Sequence, residues 1–338
     1  MSYKNLVIID NEKVSKKNDG FYCDNFEAKI SEDFSKIFDS TLIARKSKID
    51  RACKINFQKI EIASNIFYFL FNIFKTFKKK QTNYLIIAIN PYTFFAYLFL
   101  FFFRKNIFVY LRSDGHEEYK AILGFIGPAI YYIMFKIVTF KARIISCQER
   151  LFTKRESTIV SPSVLNSFWL DNIKKPLLDK PRLFYVGRIK VEKGIFSLLK
   201  IFDEIKNDVQ LSIVGRTENL KPNNKKVNFI GHIYEQESLV KIYDNNNIFI
   251  LPSFTEAHPK VIDESLARMR PIIIFEEIHH VIKNKKGIFV SKRNAKSLQE
   301  TIDFIMKNYT SIQENMSKNK LPTKEEFISQ MSNILSSN

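Results

Sequence analysis

The sequence predicts an α/β fold organised as two doubly wound parallel-sheet domains. Three observations lead there. Short, near-continuous apolar runs alternate with helical patterns along the whole chain. The runs form two sets on either side of a polar stretch with two prolines, DNIKKPLLDKP at 171–181, which reads as the linker. A length of 338 residues is ample for two hydrophobic cores.

In the first set, strands are expected at NLVIID (5–10), TLIAR (41–45), YLIIAI (84–89), NIFVYL (106–111) and RIISC (143–147). In the second they are expected at RLFYVG (182–187), QLSIVG (210–215), KVNFIG (226–231), NIFILP (247–252), PIIIF (271–275) and GIFV (287–290). Runs this uniformly apolar suit parallel strands buried on both faces. Two aromatic stretches approach the length of a membrane span. YLIIAINPYTFFAYLFLFFF (84–103) carries Asn90-Pro91 in its middle, which marks a strand end followed by a helix with proline in its first turn. AILGFIGPAIYYIMF (121–135) is shorter than the roughly 20 residues that a span needs. NIFYFLFNIFKTFKKK (65–80) joins an aromatic face to four lysines. It reads either as a helix lying in a membrane interface or as a core helix with a solvated basic end. LPTKEEFISQMSNIL (321–335) reads as a helix capped by Thr323, with Glu326 three residues on.

The composition is that of a folded protein, 45% hydrophobic and 26% charged. Cys23, Cys53 and Cys147 are odd in number and far apart, giving neither a disulfide framework nor a metal spacing, so a reducing compartment is expected. The opening MSYKNLVIID runs directly into a strand pattern, and no signal peptide is read there. The net charge of +18 is uneven: residues 51–155 hold seventeen basic and five acidic side chains. The aromatics beside them pattern as helices and not as base-stacking platforms, so an anionic membrane surface is expected and nucleic acid is not.

Chemistry concentrates in the second half. VGRIKVEKG (186–194) follows a buried strand. Gly187 permits a tight turn or close backbone approach, and Arg188 and Lys193 supply a planar fork and a flexible point charge suited to a diphosphate. NIFILPSFTEAHPKVIDESLARMRPIII (247–274) reads as strand, loop, helix, strand. Pro259 suits the first helical turn, with His258 near the cap, Glu256 just before the helix and Glu264 in its second turn; backbone N–H groups around 259–261 would favour an anion. Taken singly, these motifs also read as a loop with solvated charges and a helix entrance flanked by acids. In the first half, VYLRSDGHEEY (109–119) puts Arg112, Asp114 and His116 at the carboxyl end of a strand, where open parallel sheets bind ligands. No Asp-x-Asp occurs, the histidines form no metal spacing, and no G-x-G-x-x-G follows a strand, which disfavours a dinucleotide oxidoreductase.

Taken in order, VGRIKVEKG, LSIVG, VNFIGHI, IFILPSFTEAHPKVIDESLA and RPIII resemble the nucleotide-binding domain of glycosyltransferase family 4 (glycosyl transferases group 1), over residues 182–275. The resemblance implies the GT-B architecture, with two Rossmann-like domains facing across a cleft. An acceptor domain with basic, aromatic, membrane-facing helices would occupy 1–170 and a nucleotide-sugar domain 176–320, with a C-terminal helix at 321–338 packing back on the first. By the same resemblance Arg188 and Lys193 hold the donor diphosphate, Glu264 accepts hydrogen bonds from the ribose, Glu256 faces the donor sugar, and His116 approaches it from the first domain. Gly187, Gly215, His258, Pro259 and Lys260 complete the donor-binding set. The sequence departs from the family in three places: only Gly20 follows the first strand, Arg268-Met269-Arg270 stands where a glycine usually precedes RPIII, and EEIHHVI (276–282) replaces a Gly-rich loop.

The function so implied is a retaining glycosyltransferase needing neither metal nor cofactor, Arg188 and Lys193 serving in place of a divalent ion. It would move a sugar from a nucleotide-sugar donor to a lipid-linked or cell-envelope glycan acceptor. The expected location is cytoplasmic, peripheral on the inner face of the membrane. The alternatives are a non-catalytic GT-B module that docks on membranes or a partner, and another GT-B enzyme such as a sugar-nucleotide epimerase.

Overall fold

The computed structural model describes residues 5–23, 32–111, 115–147, 157–216, 224–256 and 259–337. The chain divides into two compact units, Met1–Pro162 with Glu325–Asn338, and Ser163–Lys324. Arg112 and Asp114 lie outside the described residues.

The first unit holds one sheet of β1 (Asn5–Lys17), β2 (Gly20–Cys23), β3 (Asp39–Lys46), β4 (Cys53–Ile55), β5 (Ile60–Ala63), β6 (Thr82–Ile87), β7 (Asn106–Leu111), β8 (Arg143–Ser146) and β9 (Thr158–Ile159). Its parallel part runs β5-β3-β1-β6-β7-β8-β9, so the winding reverses between β1 and β6. The strands are apolar throughout because both faces are covered: Leu6, Ile8 and Leu85 enter one core cluster, and Val7, Ile9 and Tyr84 enter the other. The first strand does not end at Asp10 as expected. After a register shift between Ile9 and Lys13 it runs on to Lys17 and folds back antiparallel as β2, Gly20 taking φ +144 after the turn.

The aromatic stretches resolve into short elements. Asn90 caps α2 (Pro91–Phe102) in a reciprocal box with Thr93, which ends the 84–103 run as a strand and a helix. The 121–135 run is broken between α3 (Gly115–Leu123) and α4 (Gly127–Lys141) by a 3-10 turn, Gly124–Ile126. α1 (Ile66–Lys75) is capped by Asn65. Among the described residues no helix is long and apolar enough to cross a membrane.

In the second unit, β10 (Arg182–Val186), β11 (Gln210–Val214), β12 (Val227–Gly231), β13 (Ile248–Leu251), β14 (Ile272–Phe275) and β15 (Ile288–Ser291) form a wholly parallel sheet in the order β12-β11-β10-β13-β14-β15. This is the Rossmann order, with its switch point between β10 and β13. The helices of this unit are α5 (Ser167–Leu170), α6 (Ile195–Asp203), α7 (Gln236–Asn245), α8 (Lys260–Ala267), α9 (Ala295–Lys307) and α10 (Tyr309–Met316). The last helix, α11 (Lys324–Ser336), starts just after Thr323 and gives Phe327, Met331 and Leu335 to a core cluster of the first unit.

The stretch 171–181 is not the linker. The division falls at Pro162/Ser163, and this stretch is fastened to the second unit through its carbonyls. Arg268 donates to the carbonyls of Trp169 (3.1 Å), Asp171 (2.8 Å) and Asn172 (3.0 Å), and Arg270 to that of Lys174 (2.9 Å). Both guanidiniums are fully buried, and Arg268 is paired with Asp244 at 2.8 Å. Between them Met269 takes φ +57 and closes α8: its N–H reaches Leu266 (3.0 Å), and that of Arg270 reaches Ser265 (2.9 Å). A left-handed residue at this place explains why glycine is usual there. Met269 accepts the conformation because its neighbours are locked. Replacing Asp244 with alanine leaves Arg268 as an uncompensated buried charge and is expected to cost about 3–5 kcal/mol. Chemical denaturation checks this; an unchanged midpoint would mean that the carbonyls alone hold Arg268.

Candidate functional site

The loops leaving the carboxyl ends of β10, β11 and β13 converge at the second switch point because glycines let them. A Cβ on Gly215 would lie 2.2 Å from the Gly187 carbonyl oxygen, and one on Gly187 would lie 2.5 Å from the Tyr185 hydroxyl. One on Gly194, which holds φ +69, would lie 1.8 Å from the Pro252 carbonyl oxygen. The Tyr185 hydroxyl donates to the Arg188 carbonyl at 2.8 Å, fixing the turn and leaving the Arg188 side chain exposed. Burial, and then the nearby Glu256 carboxylate, push the Tyr185 phenol up, so it stays a neutral donor.

Lys193 ends a 3-10 turn, Val191–Lys193, that docks on the β13 loop through the Phe254 N–H to the Glu192 carbonyl, 3.0 Å. The Lys193 ammonium lies 2.6 Å from Glu256 Oε1, and the Ser253 hydroxyl donates to the same oxygen at 2.7 Å. The family resemblance assigns this lysine to the diphosphate and this glutamate to the sugar; here they pair with each other, both largely buried. The segment 276–282 supplies a further hold: His280 Nε2 donates to the Glu256 carbonyl at 2.8 Å. Arg293 lies between the rings of Phe254 (4.1 Å) and Phe275 (4.3 Å), donates to the Pro252 carbonyl at 3.0 Å and pairs with Glu277 at 2.6 Å. It clamps the loop that carries Glu256.

Glu264 stands in the second turn of α8, 8% exposed, and accepts the Tyr243 hydroxyl at 2.7 Å. Tyr243 is itself enclosed by Trp169, Phe184 and Phe249. Burial pushes Glu264 up to about 7, against the downward pull of the Tyr243 hydrogen bond and of Lys260. Pro259 is the cap residue of α8 and not part of its first turn; having no N–H, it leaves Lys260 to supply the first helical donor.

The structure therefore brings Gly187 against Gly215 and Lys193 against Glu256, and sets Lys260 near Glu264. His258 lies outside the described residues. His116 belongs to the first unit and packs edge-on against Tyr131 at 4.8 Å, with Phe135 at 5.9 Å. Ser253, Tyr243, His280 and Arg293 were not singled out from sequence. Only Ser253 carried a signal, as the residue that closes ILPS behind a buried strand. Among the described residues no group of three or more His, Cys, Asp or Glu side chains is placed to hold a metal ion.

Residues 170–321 match the family model described as glycosyl transferases group 1. The match covers a little under half of the chain, and the fold is that of GT-B glycosyltransferases. It is 30% identical over 174 residues to the capsular polysaccharide biosynthesis glycosyltransferase CapM of Staphylococcus aureus, an alignment covering 45% of either protein. It is 26% identical over 162 residues to the N,N'-diacetylbacillosaminyl-diphospho-undecaprenol alpha-1,3-N-acetylgalactosaminyltransferase of Campylobacter jejuni, covering 45% of this chain and 41% of that protein. The chain thus spans about half the length of the curated relatives it matches. Among solved structures, Anabaena HepE in complex with UDP and glucose superposes with a TM-score of 0.70 at 11% identity, covering 99% of this chain and 100% of that one.

Because the Glu264 carboxyl is raised from an ordinary 4.5 to about 7, its contribution favours the fold fully below pH 4.5 and is lost as the pH rises through 7. Glu264→Gln, which mimics the protonated form, should raise the stability of the ligand-free protein at pH 8 by up to about 3 kcal/mol, and by little at pH 4. Paired denaturation curves at the two pH values check it; equal effects at both would separate the gain from the titration.

Proposed function

We propose that this protein is a retaining, metal-independent glycosyltransferase that moves a sugar from a nucleotide-sugar donor to a lipid-linked or cell-envelope glycan at the cytoplasmic face of a membrane. The observation that carries the reading is the convergence at the β10/β13 switch point of Arg188, Lys193 and Glu256, with Glu264 one turn into the following helix. Departure of a nucleoside diphosphate needs cations already in place as negative charge develops, which Arg188 and Lys193 supply. Glu264 takes the ribose hydroxyls as acceptor, and Glu256 a hydroxyl of the donor sugar. In a retaining transfer the acceptor oxygen attacks the face that the diphosphate leaves. The names of the relatives agree with this reading: one builds capsular polysaccharide, one takes a diphospho-undecaprenol acceptor, and HepE holds UDP and glucose.

The Lys193–Glu256 pair shapes the test. Diphosphate oxygens must compete with Glu256 for the same ammonium. Arg188→Ala is expected to weaken free nucleoside diphosphate binding by about 1.5–3 kcal/mol. Glu256→Gln is expected to tighten it about fivefold, taking the pair to be worth roughly 1 kcal/mol, while transfer measured in excess EDTA falls sharply. Calorimetry on the two variants decides the matter. Diphosphate binding indifferent to Arg188 would overturn the site, and binding lost with Glu256 would overturn the competition.

Membrane attachment rests on the helices of the first unit. Phe67 on α1 and Phe102 on α2 are each 80% exposed, and Phe125, between α3 and α4, is 90% exposed. Lys75 lies over Phe71, Lys136 over Tyr132 and Lys141 over Phe140, an arrangement in which apolar faces enter the headgroup layer while ammonium groups stay at its level. The protein should sediment with vesicles containing anionic lipid, less so as salt rises, and Phe67→Asp/Phe125→Asp should abolish this. Equal binding to neutral vesicles would remove the electrostatic part.

A further inference from the structure

The extension of β1 beyond its parallel neighbours borders an open cavity lined by none of the residues assigned to the donor. It lies in the first unit, between the β1–β2 hairpin and the loop after β3, with a volume of about 580 Å³. Its lining includes Lys16, Lys17, Lys46 and Lys48, with Asp50 as the single acid. The size is that of a small-molecule site, and the place, past the carboxyl ends of β1 and β3, is where open parallel sheets take ligands.

The floor is preformed. Ser47 and Ser15 are buried; Ser15 Oγ accepts the Arg51 N–H at 3.0 Å, Ser47 Oγ accepts Arg51 Nε at 2.8 Å, and the Ser47 N–H reaches the Val14 carbonyl at 2.8 Å. The end of β3 at Lys46 and the loop bearing Lys48 are thereby held against β1. The lysines are not an overflow of the basic composition, because residues 1–50 carry nine basic and nine acidic side chains. Asp50, 81% exposed, approaches Lys17 at 3.9 Å, which offsets one of the four charges at most. Lys46 and Lys48, with Lys16 whose ammonium lies over Phe21, add positive potential to a concave, partly apolar site. Lysines are compact charges on flexible stems, suited to an oxyanion whose orientation varies and not to planar bidentate recognition.

We propose that this cavity is an anion site, taking a phosphate or carboxylate group carried by the glycan acceptor. The oxyanion is read from the cavity alone; its attachment to an acceptor rests on the glycosyl-transfer reading. The test uses Arg188→Ala/Lys193→Ala protein, in which the donor diphosphate site is disabled, titrated calorimetrically with inorganic pyrophosphate and separately with a trigalacturonate. Binding of one or both probes should persist there and fall more than tenfold on adding Lys46→Glu/Lys48→Glu. The stronger probe identifies phosphate or carboxylate as the group held. Neither probe binding in that background, or binding indifferent to the lysine changes, overturns the proposal. In otherwise unaltered protein, Lys46→Glu/Lys48→Glu should leave nucleoside diphosphate affinity unchanged, so this site and the donor site fail or survive separately; a parallel loss there would assign the lysines to the donor site and overturn a separate cavity.

Discussion

The loops after β10 and β13 meet because one position has no side chain. The Pro252 carbonyl occupies the space that a Cβ on Gly194 would need, and Gly194 adopts a left-handed conformation that costs other residues energy. That contact sets the depth to which the Val191–Lys193 turn sinks against the β13 loop, and so brings Lys193 onto Glu256. Any larger residue there would push the lysine away from its acid before touching the sheet. Arg293 acts on the same loop from the other side, its guanidinium held flat between Phe254 and Phe275. The site is thus fixed by a close backbone approach and one clamped arginine.

Much of this was legible in the sequence, for a physical reason. Parallel strands buried on both faces leave continuous apolar runs, and every expected run became a strand within a residue or two, apart from β1. Gly187, Gly194 and Gly215 stand out because they follow buried strands. The hidden features depend on tertiary partners. The extension of β1 through EKVSKK is polar and has no strand pattern; it is held by pairing with β3 and β2. The stretch 171–181 has the composition of a linker, since its anchorage to the buried arginines runs through its carbonyls. The arginines that hold it stand out in the sequence only as occupants of a place where a glycine is usual. The mutual pairing of Lys193 and Glu256 was equally hidden, because each had a reading that involved only a ligand.

The second unit also places a cost at its own site. Glu264 is enclosed far enough to hold its proton near neutrality, and its partner Tyr243, itself packed by Trp169 and Phe184, would suit a neutral side chain better. A carboxylate kept in such a pocket gains an acceptor with few competing waters, at the expense of the empty fold. Asp244, one residue along α7 from Tyr243, has the opposite position: its charge is matched by Arg268. The end of α7 thus meets two acids, its own Asp244 matched by a cation and Glu264 of α8 held only by a phenol, and only the second is turned to chemistry in the proposed function.

The first unit is closed by the last helix of the chain. Phe327, Met331 and Leu335 pack in one core cluster with Leu6 and Ile8, and the Asn83 amide donates to the Leu335 carbonyl. On a ribosome this orders events. The second unit is contiguous, and all of its strands emerge before α11, so its core can close while the first still has an open flank. The earlier-made half therefore completes last, after a loop closure spanning most of the polypeptide. Until then that sheet face, opposite the one covered by the phenylalanine-rich helices, is the part of the nascent chain with most reason to seek other surfaces.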